Sequence, residues 1–402
     1  MFRAEGESSR NNDAKRVYFG ITHNGKEYGN VLMSEQVGYK VQMFYPIVEM
    51  GVQDDANIAD IEPGDELCLV CTRELDRVLA SFGTQTVVIE VTEQRVKVTN
   101  EVGSVMVVRS AASRQLELPL CETACKRVAT TLAHGVDAEQ LGSDALRVPV
   151  MALAGALLPA RNLVTMAGNR PDQKGVYLSV KSDGSRTSLR VTGVHEKGVF
   201  VYENDKEAIS SENLKEEIAC VISPDAAKRL RELLCAEIAS GSDEKGVCHK
   251  EVYMKMFGYE HLDVCCGNWM MHIDAIEICD IDCEGYLNME GKYMFEVKRS
   301  ALLQVCNGLL LTDETEAYVT FDKDKILFEG EDSEHRGERV LAVECTRYGI
   351  TDDLPLRKYA IRPMAMMLSA AGAAENSKTV RIISDGEDVI GLECEAYKVF
   401  VG

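Results

Sequence analysis

The sequence predicts an α+β fold assembled from repeated units, each a strand, a helix and a run of further strands. Three observations point there. The segment 16–48, RVYFGITHNGKEYGNVLMSEQVGYKVQMFYPIV, can be laid over 175–202 and, more loosely, over 317–345, each reading strand, polar turn, strand, polar break, strand. Six such units can be traced along the 402 residues. Basic residues recur on the helices, while carboxylates dominate strands and loops. An internal period decides architecture, so it takes precedence over any single residue.

The first unit has its three strands within 16–48 but no apolar-striped helix before them, since residues 1–16 are polar. The second runs from DELCLVC (65–71) through a helix at 72–82 to strands within 86–110; Thr72 is the expected cap, and Leu75, Val78, Leu79 and Phe82 fall at i, i+3, i+4 and i+7. The third opens with a helix over 147–168, expected to kink at Pro159, and ends in the strands of 176–202. In the fourth, EIACVIS leads into a helix at 224–240, with Ser223 as cap, Pro224 as first helical residue and Ala226, Leu230, Leu233 and Leu234 as the buried stripe. EVYMKMFG and HLDVCCGNWMMHIDAIE follow as strands. YMFEVK then leads into a helix at 299–311, and KYAIR into one at 363–374, followed by TVRIIS, DVIGLECE and YKVFVG with strand-like alternation. Pairing consecutive units gives three domains, 1–118, 147–278 and 279–402, with 119–146 as a linker that can carry a short helix at 121–134.

Composition excludes several classes. No apolar run approaches the roughly 20 residues needed to span a bilayer, and MFRAEGESSRNNDAKR has no signal-peptide core, so a cytoplasmic protein without a membrane partner is expected. Fourteen cysteines in a chain of this size then read as free thiols. A formal charge of −21 argues against coating nucleic acid by bulk attraction, but leaves room for positive charge confined to one face.

That face is suggested by Arg73 and Arg77 on helix 72–82, Arg161 with Arg170 just beyond on the third unit, and Lys228, Arg229 and Arg231 on helix 224–240. Lys298 and Arg299 open the fifth unit's helix, and Arg357, Lys358 and Arg362 precede the sixth. On one helix such residues are a solvated surface; their recurrence at equivalent places suits loose contact with a phosphate backbone.

Rival chemistry is thin. Cys68 and Cys71 lie three apart on a strand, hence on opposite faces. Cys248, His249, His261, Cys265, Cys266, His272, Cys279 and Cys283 are zinc-type residues without finger spacing, so no metal is expected. Asp54, Asp55, Glu216, Glu217, Asp352 and Asp353 read as loop charge. No nucleophile elbow, phosphate-binding glycine loop or HExxH helix occurs, and no enzyme activity or cofactor is expected. His195, three after Thr192, reads as a strand-turn histidine satisfied by nearby backbone.

The stretch Pro171 to Tyr202, with GVYLSV, SLRVTG and the corner Val191-Thr192-Gly193-Val194-His195-Glu196, resembles the bacterial DNA sliding clamp, the β subunit of DNA polymerase III, as do the order of 296–346 and the ending AYKVFV. The corner keeps the family's Thr and His and lacks its Asp and Arg. The resemblance implies three related domains per protomer and a head-to-tail homodimeric ring, with sheets outside and helices lining a hole for duplex DNA. It implies a non-enzymatic processivity factor whose partners are double-stranded DNA, a polymerase and a clamp loader, with the basic residues above as channel lining. A partner pocket would involve Thr192, His195, Val399, Phe400 and Val401. The lack of a first helix and an ending at Val401-Gly402, without the family's Pro-Met-hydrophobic tail, fit a phage-encoded or specialised member, or a clamp-fold scaffold that does not encircle DNA.

Overall fold

The computed structural model describes residues 16–23, 28–36, 38–46, 67–71, 88–91, 95–100, 103–108, 145–166, 168, 174–182, 187–204, 218–241, 250–257, 260–267, 269–277, 284–289, 291–311, 315–322, 324–330, 340–349, 356–374, 378–386 and 388–402. The chain forms two compact units, residues 1–142 with 263–273, and residues 143–262 with 274–402. The expected helices at 72–82 and 121–134 fall outside the described residues, as do Thr72, Arg73, Arg77, Arg170 and the polar residues 1–15.

In the first unit, β1 (Arg16–His23), β2 (Tyr28–Gln36) and β3 (Tyr39–Pro46) form an antiparallel meander. Gly38 closes its second turn with a φ of +87°, a conformation glycine adopts without Cβ strain. The strand β4 (Leu67–Cys71) pairs with the far edge of β1. A separate sheet holds β5 (Val88–Val91), β6 (Arg95–Thr99) and β7 (Ser104–Val108). Between β6 and β7 the Gly103 N–H donates to Asn100 Oδ1 at 2.9 Å.

The second unit begins with β8 (Leu146–Pro149), then α1 (Val150–Val164), β9 (Val176–Ser182), β10 (Thr187–His195), β11 (Gly198–Asn204), β12 (Ile218–Ile222) and α2 (Pro224–Gly241). The helix expected from 147 therefore yields its first residues to a strand, because Leu146–Pro149 pair with β13 (Glu251–Met256). Pro159 lies within α1. The chain then returns to the first unit with residues 263–273, which carry most of β14 (His261–Cys266) and of β15 (Trp269–Asp274); within that unit β15 pairs with β3 from Trp269 opposite Met43 to Ile273 opposite Tyr39. A single helical turn, Glu284–Leu287, precedes β16 (Tyr293–Lys298), α3 (Arg299–Leu310), β17 (Glu316–Phe321), β18 (Lys325–Gly330) and β19 (Val340–Gly349). The chain closes with β20 (Arg357–Ala360), α4 (Ile361–Ala374), β21 (Thr379–Ser384), β22 (Ile390–Cys394) and β23 (Tyr397–Val401). All three copies of the repeated segment are thus three-stranded meanders.

Twelve strands of this unit make one sheet in the order β12-β9-β10-β11-β23-β22-β21-β16-β19-β18-β17-β20. The joint between its halves is β11 against β23, antiparallel from Gly198 opposite Val401 to Tyr202 opposite Tyr397. Helices α1 and α2 pack together, as do α3 and α4, and α1 also meets α4. Helix α1 lies on β10 and β11, and α4 on β23. The approach is close at Gly193, where an added Cβ would sit 2.5 Å from the Ala160 carbonyl oxygen. Only glycine lets these two backbones meet. The core between the layers includes Leu153, Leu157, Val191, Phe200, Leu230, Leu234 and Val399, all at most 1% exposed.

Candidate nucleic-acid interface

Helix α2 shows how the sequence sorts its residues. The Ser223 hydroxyl accepts the Ala226 N–H at 3.2 Å, capping the helix, and Asp225 in the first turn complements the positive end of the dipole. Ala226, Ala227, Leu230, Leu233 and Leu234 are buried as the 3.6-residue period requires, and so is Glu237, whose carboxylate takes the Lys250 ammonium at 2.5 Å. Lys228, Arg229 and Arg231 are left half-exposed. Arg229 pairs with Glu232 one turn on, Nη1 to Oε2 at 2.8 Å. The Nε atoms of Arg231 and of Arg161, in the last turn of α1, have no hydrogen-bond partner among the described residues; Arg161 Nη1 makes a long contact of 3.5 Å to Asn162 Oδ1.

The other predicted cations divide. Lys298 is exposed and caps α3 with extended backbone, and Arg362 is exposed in the first turn of α4, which starts at Ile361 rather than at Pro363. A cation at a helix N-terminus stands against its own helix dipole, an arrangement that an anion relieves. Arg299 points inward: Nη1 donates to the Leu368 carbonyl of α4 at 2.8 Å, and its guanidinium occupies the space a side chain at Gly372 would need. Arg357 and Lys358 stand on strand β20. Arg357 pairs with Asp388 at 2.7 Å, while Lys358 meets Glu316 at 3.2 Å and lies over the Tyr318 ring at 5.8 Å.

Glu316 also binds Lys197, from the turn between β10 and β11, so one carboxylate ties two meanders together. The hydrogen bond from Lys197 holds its carboxyl below the ordinary carboxylate range, against the opposing pull of burial, with Lys358 adding to the effect. Sequence reasoning missed this network, because nothing local links positions 197 and 316.

The five residues expected to line a partner pocket are all buried, from 0% exposed for Val399 and Val401 to 3% for His195. Cross-strand register divides them between faces. Gly193, Phe200 and Val399 are neighbours on the helix side, which also takes His195 and Val401. Thr192, Val194, Val199, Val201 and Phe400 share the opposite face. His195 Nδ1 accepts the Lys197 N–H at 3.1 Å, the backbone satisfaction expected of a strand-turn histidine. As placed, His195, Val399 and Val401 serve the packing of sheet on helices, and alternation puts them across the sheet from Thr192 and Phe400.

Of the zinc-type residues, Cys265 and Cys266 are buried and outside any disulfide, and His272 Nδ1 lies 2.7 Å from Asp263 Oδ1. Cys248, His249, Cys279 and Cys283 fall outside the described residues. Cys68 and Cys71 sit on β4 opposite Gly20 and Val17, at positions of unlike parity. Burial pushes the Cys220 and Cys306 thiols up to about 12, which makes them inert core residues. Among the described residues no helix is long and apolar enough to cross a membrane.

No family model matches the sequence, and no curated protein matches it. Solved structures do match the fold along nearly its whole length. A DNA polymerase sliding clamp from Pseudomonas aeruginosa superposes with a TM-score of 0.66 at 13% identity, covering 96% of this chain and 90% of that one. A Helicobacter pylori β clamp bound to a DNA ligase peptide gives 0.68 at 13%, covering 96% and 91%. The DNA polymerase III β subunit of Thermotoga maritima gives 0.67 at 10%, covering 98% and 92%. The chain therefore has the fold of the bacterial β clamps.

Proposed function

We propose that the protein is a DNA sliding clamp, a non-enzymatic processivity factor that closes into a homodimeric ring around duplex DNA and tethers a polymerase, opened by a clamp loader in the cytoplasm. Its three domains would be 1–118, 147–278 and 279–402. The observation that carries this reading is a joint made twice and, among the described residues, left open once. In β3 against β15, and in β11 against β23, the third strand of a repeated meander takes the last strand of another unit antiparallel along its free edge. In the third meander, β19 pairs with β18 through Val340–Glu344, and with β16 only beyond Glu344. The remaining counterpart of β15 and β23 is β7, which among the described residues ends its three-stranded sheet.

Joining β7 of one copy to β19 of another makes the same joint a third time, and doing so in both directions closes a ring of two. Met106 on β7 and Val340 on β19 are 60% and 52% exposed, as apolar residues awaiting such a contact are. The helices would then line the hole, presenting Lys228, Arg229, Arg231, Arg161, Lys298 and Arg362. With a net charge of −21, attraction confined to that surface allows sliding, and topology supplies retention.

The test is retention on nicked circular DNA against the same DNA linearised, after loading. Retention on the circle and loss from the linear form is expected. Equal loss from both would remove the topological mechanism. Sedimentation should give twice the 44.4 kDa chain mass, reduced to one chain by Met106→Glu with Val340→Glu.

A further inference from the structure

The neighbouring strands β14 and β15 form a hairpin whose two faces differ in chemistry. The Ala275 N–H donates to the Glu260 carbonyl at 2.9 Å across its open end, and Gly267, with a φ of +56°, lies at its tight end. Counting inward from that bond, the antiparallel strands bring position 263 opposite 272. Leu262, Val264, Met271 and Ile273 are 0% exposed and share the core face. His261, Asp263 and His272 alternate to the other face.

Those three side chains converge. His272 Nδ1 lies 2.7 Å from Asp263 Oδ1, and the nitrogen or oxygen donors of all three residues fall within 4.8 Å of one another. Four ligands around a tetrahedral zinc ion, each about 2.0–2.1 Å from it, stand about 3.3 Å apart. The observed separations bracket that spacing, so small side-chain adjustments close the set. Asp263 is only 4% exposed while both imidazoles are half-buried, which makes an anionic floor with an open approach. Phe257 orients the His261 ring, stacked on it at 4.1 Å with 18° between the planes. An Asp–His pair alone is an ordinary cross-strand contact. A third donor, two residues along the same strand and on the same face, is what suits this one to a cation.

We propose that His261, Asp263 and His272 form a binding site for one divalent transition-metal ion of the zinc class, with water in the fourth position. Two imidazoles and one carboxylate match such an ion and are a poor match for magnesium or calcium, which take oxygen ligands. The hydrogen shared by Nδ1 and Oδ1 leaves to solvent as the ion takes its place. The donors come from both strands of the hairpin, so the ion ties β14 to β15, and β15 in turn carries the pairing with β3. No finger spacing announces the site in the sequence, because strand register and not sequence proximity brings its ligands together. The inference stands apart from the clamp reading, since it uses neither DNA nor a ring.

The probe is zinc or cobalt(II), titrated into the full-length chain after chelator treatment, with magnesium as the control. One equivalent of either transition metal should bind, cobalt(II) showing the visible absorption of a four-coordinate ion without the intense near-ultraviolet band of thiolate ligation. His261→Ala should weaken zinc binding at least about a hundredfold, since loss of a mere supporting partner already costs 10–100-fold. Asp263→Asn keeps a hydrogen-bonding partner for His272 but removes the anionic ligand, and should weaken binding at least about tenfold. Absence of zinc binding, or equal zinc affinity in His261→Ala and the unaltered chain, overturns the proposal. A single equivalent carrying the thiolate band also overturns it, because the metal is then on cysteines. Should the variants fail to fold, amide hydrogen exchange on the unaltered chain decides: zinc should slow exchange at 261–266 and 269–274 at least about tenfold and leave 176–182 unaltered. No slowing, or equal slowing of both regions, overturns it.

Discussion

On α2, Lys228, Arg229 and Arg231 remain at the surface of the helix that carries them, whereas Arg299, at the start of α3, reaches across to α4 and donates to the Leu368 carbonyl at 2.8 Å. Both groups look alike as sequence, basic residues flanking an apolar stripe. Arg299 meets a neighbouring helix whose Gly372 leaves room for a guanidinium, whereas Arg229 pairs with Glu232 on its own helix. A count of basic residues therefore overstates the charge available to an external anion. The surplus is absorbed as internal cross-links.

Replacing Arg299 by alanine should have the largest effect, lowering stability by about 2–3 kcal/mol through loss of a charge-assisted hydrogen bond and its packing. Denaturant unfolding checks it, and a change below about 0.5 kcal/mol would return Arg299 to the surface group. Changing Lys228, Arg229 and Arg231 together to glutamine should leave the unfolding midpoint nearly unaltered. It should weaken DNA association at low salt about tenfold, or ~1.4 kcal/mol, with a shallower salt dependence. Unaltered association would count against α2 as channel lining.

Glu316→Gln removes the link from Lys197 and Lys358, with an expected cost of about 0.5–1 kcal/mol because the groups are partly exposed. The sign with pH is fixed: the folded carboxyl titrates below its unfolded value of about 4.3, so its contribution is present above that value and is lost as pH falls through the folded pKa. Thermal unfolding of the variant and the unaltered chain should therefore converge in acid; a constant gap across pH would refute the linkage. The smallest effect is expected for Arg357→Ala, under about 0.5 kcal/mol, since its partner Asp388 is 77% exposed.

Much of this architecture was legible beforehand. The three meanders, the Ser223 cap and the stripe of Ala226, Leu230, Leu233 and Leu234 all follow from local periodicity and capping chemistry. The misplaced boundaries have one cause in common. Leu146–Pro149 reads as well as the start of a helix as it does as a strand, and its pairing with β13 decides; α4 likewise begins at Ile361, where the Thr315 carbonyl receives its N–H. The pocket residues were less legible, because which face of β10 meets α1 depends on the contact of Gly193 with Ala160, a long-range fact that alternation cannot supply.

The sequence alone thus determined which residues repeat, which faces are apolar and where helices can start, because these depend on periods of two and 3.6 residues and on neighbours within a turn. Only the tertiary structure decided which cations are drawn into internal contacts, which face of the β10–β11–β23 joint is covered, and which strands of the described residues pair. Those outcomes depend on groups far apart in the chain, such as Lys197 with Glu316 and Tyr286 with Phe400. No local pattern encodes such pairings, since each is set by the geometry of layers already packed.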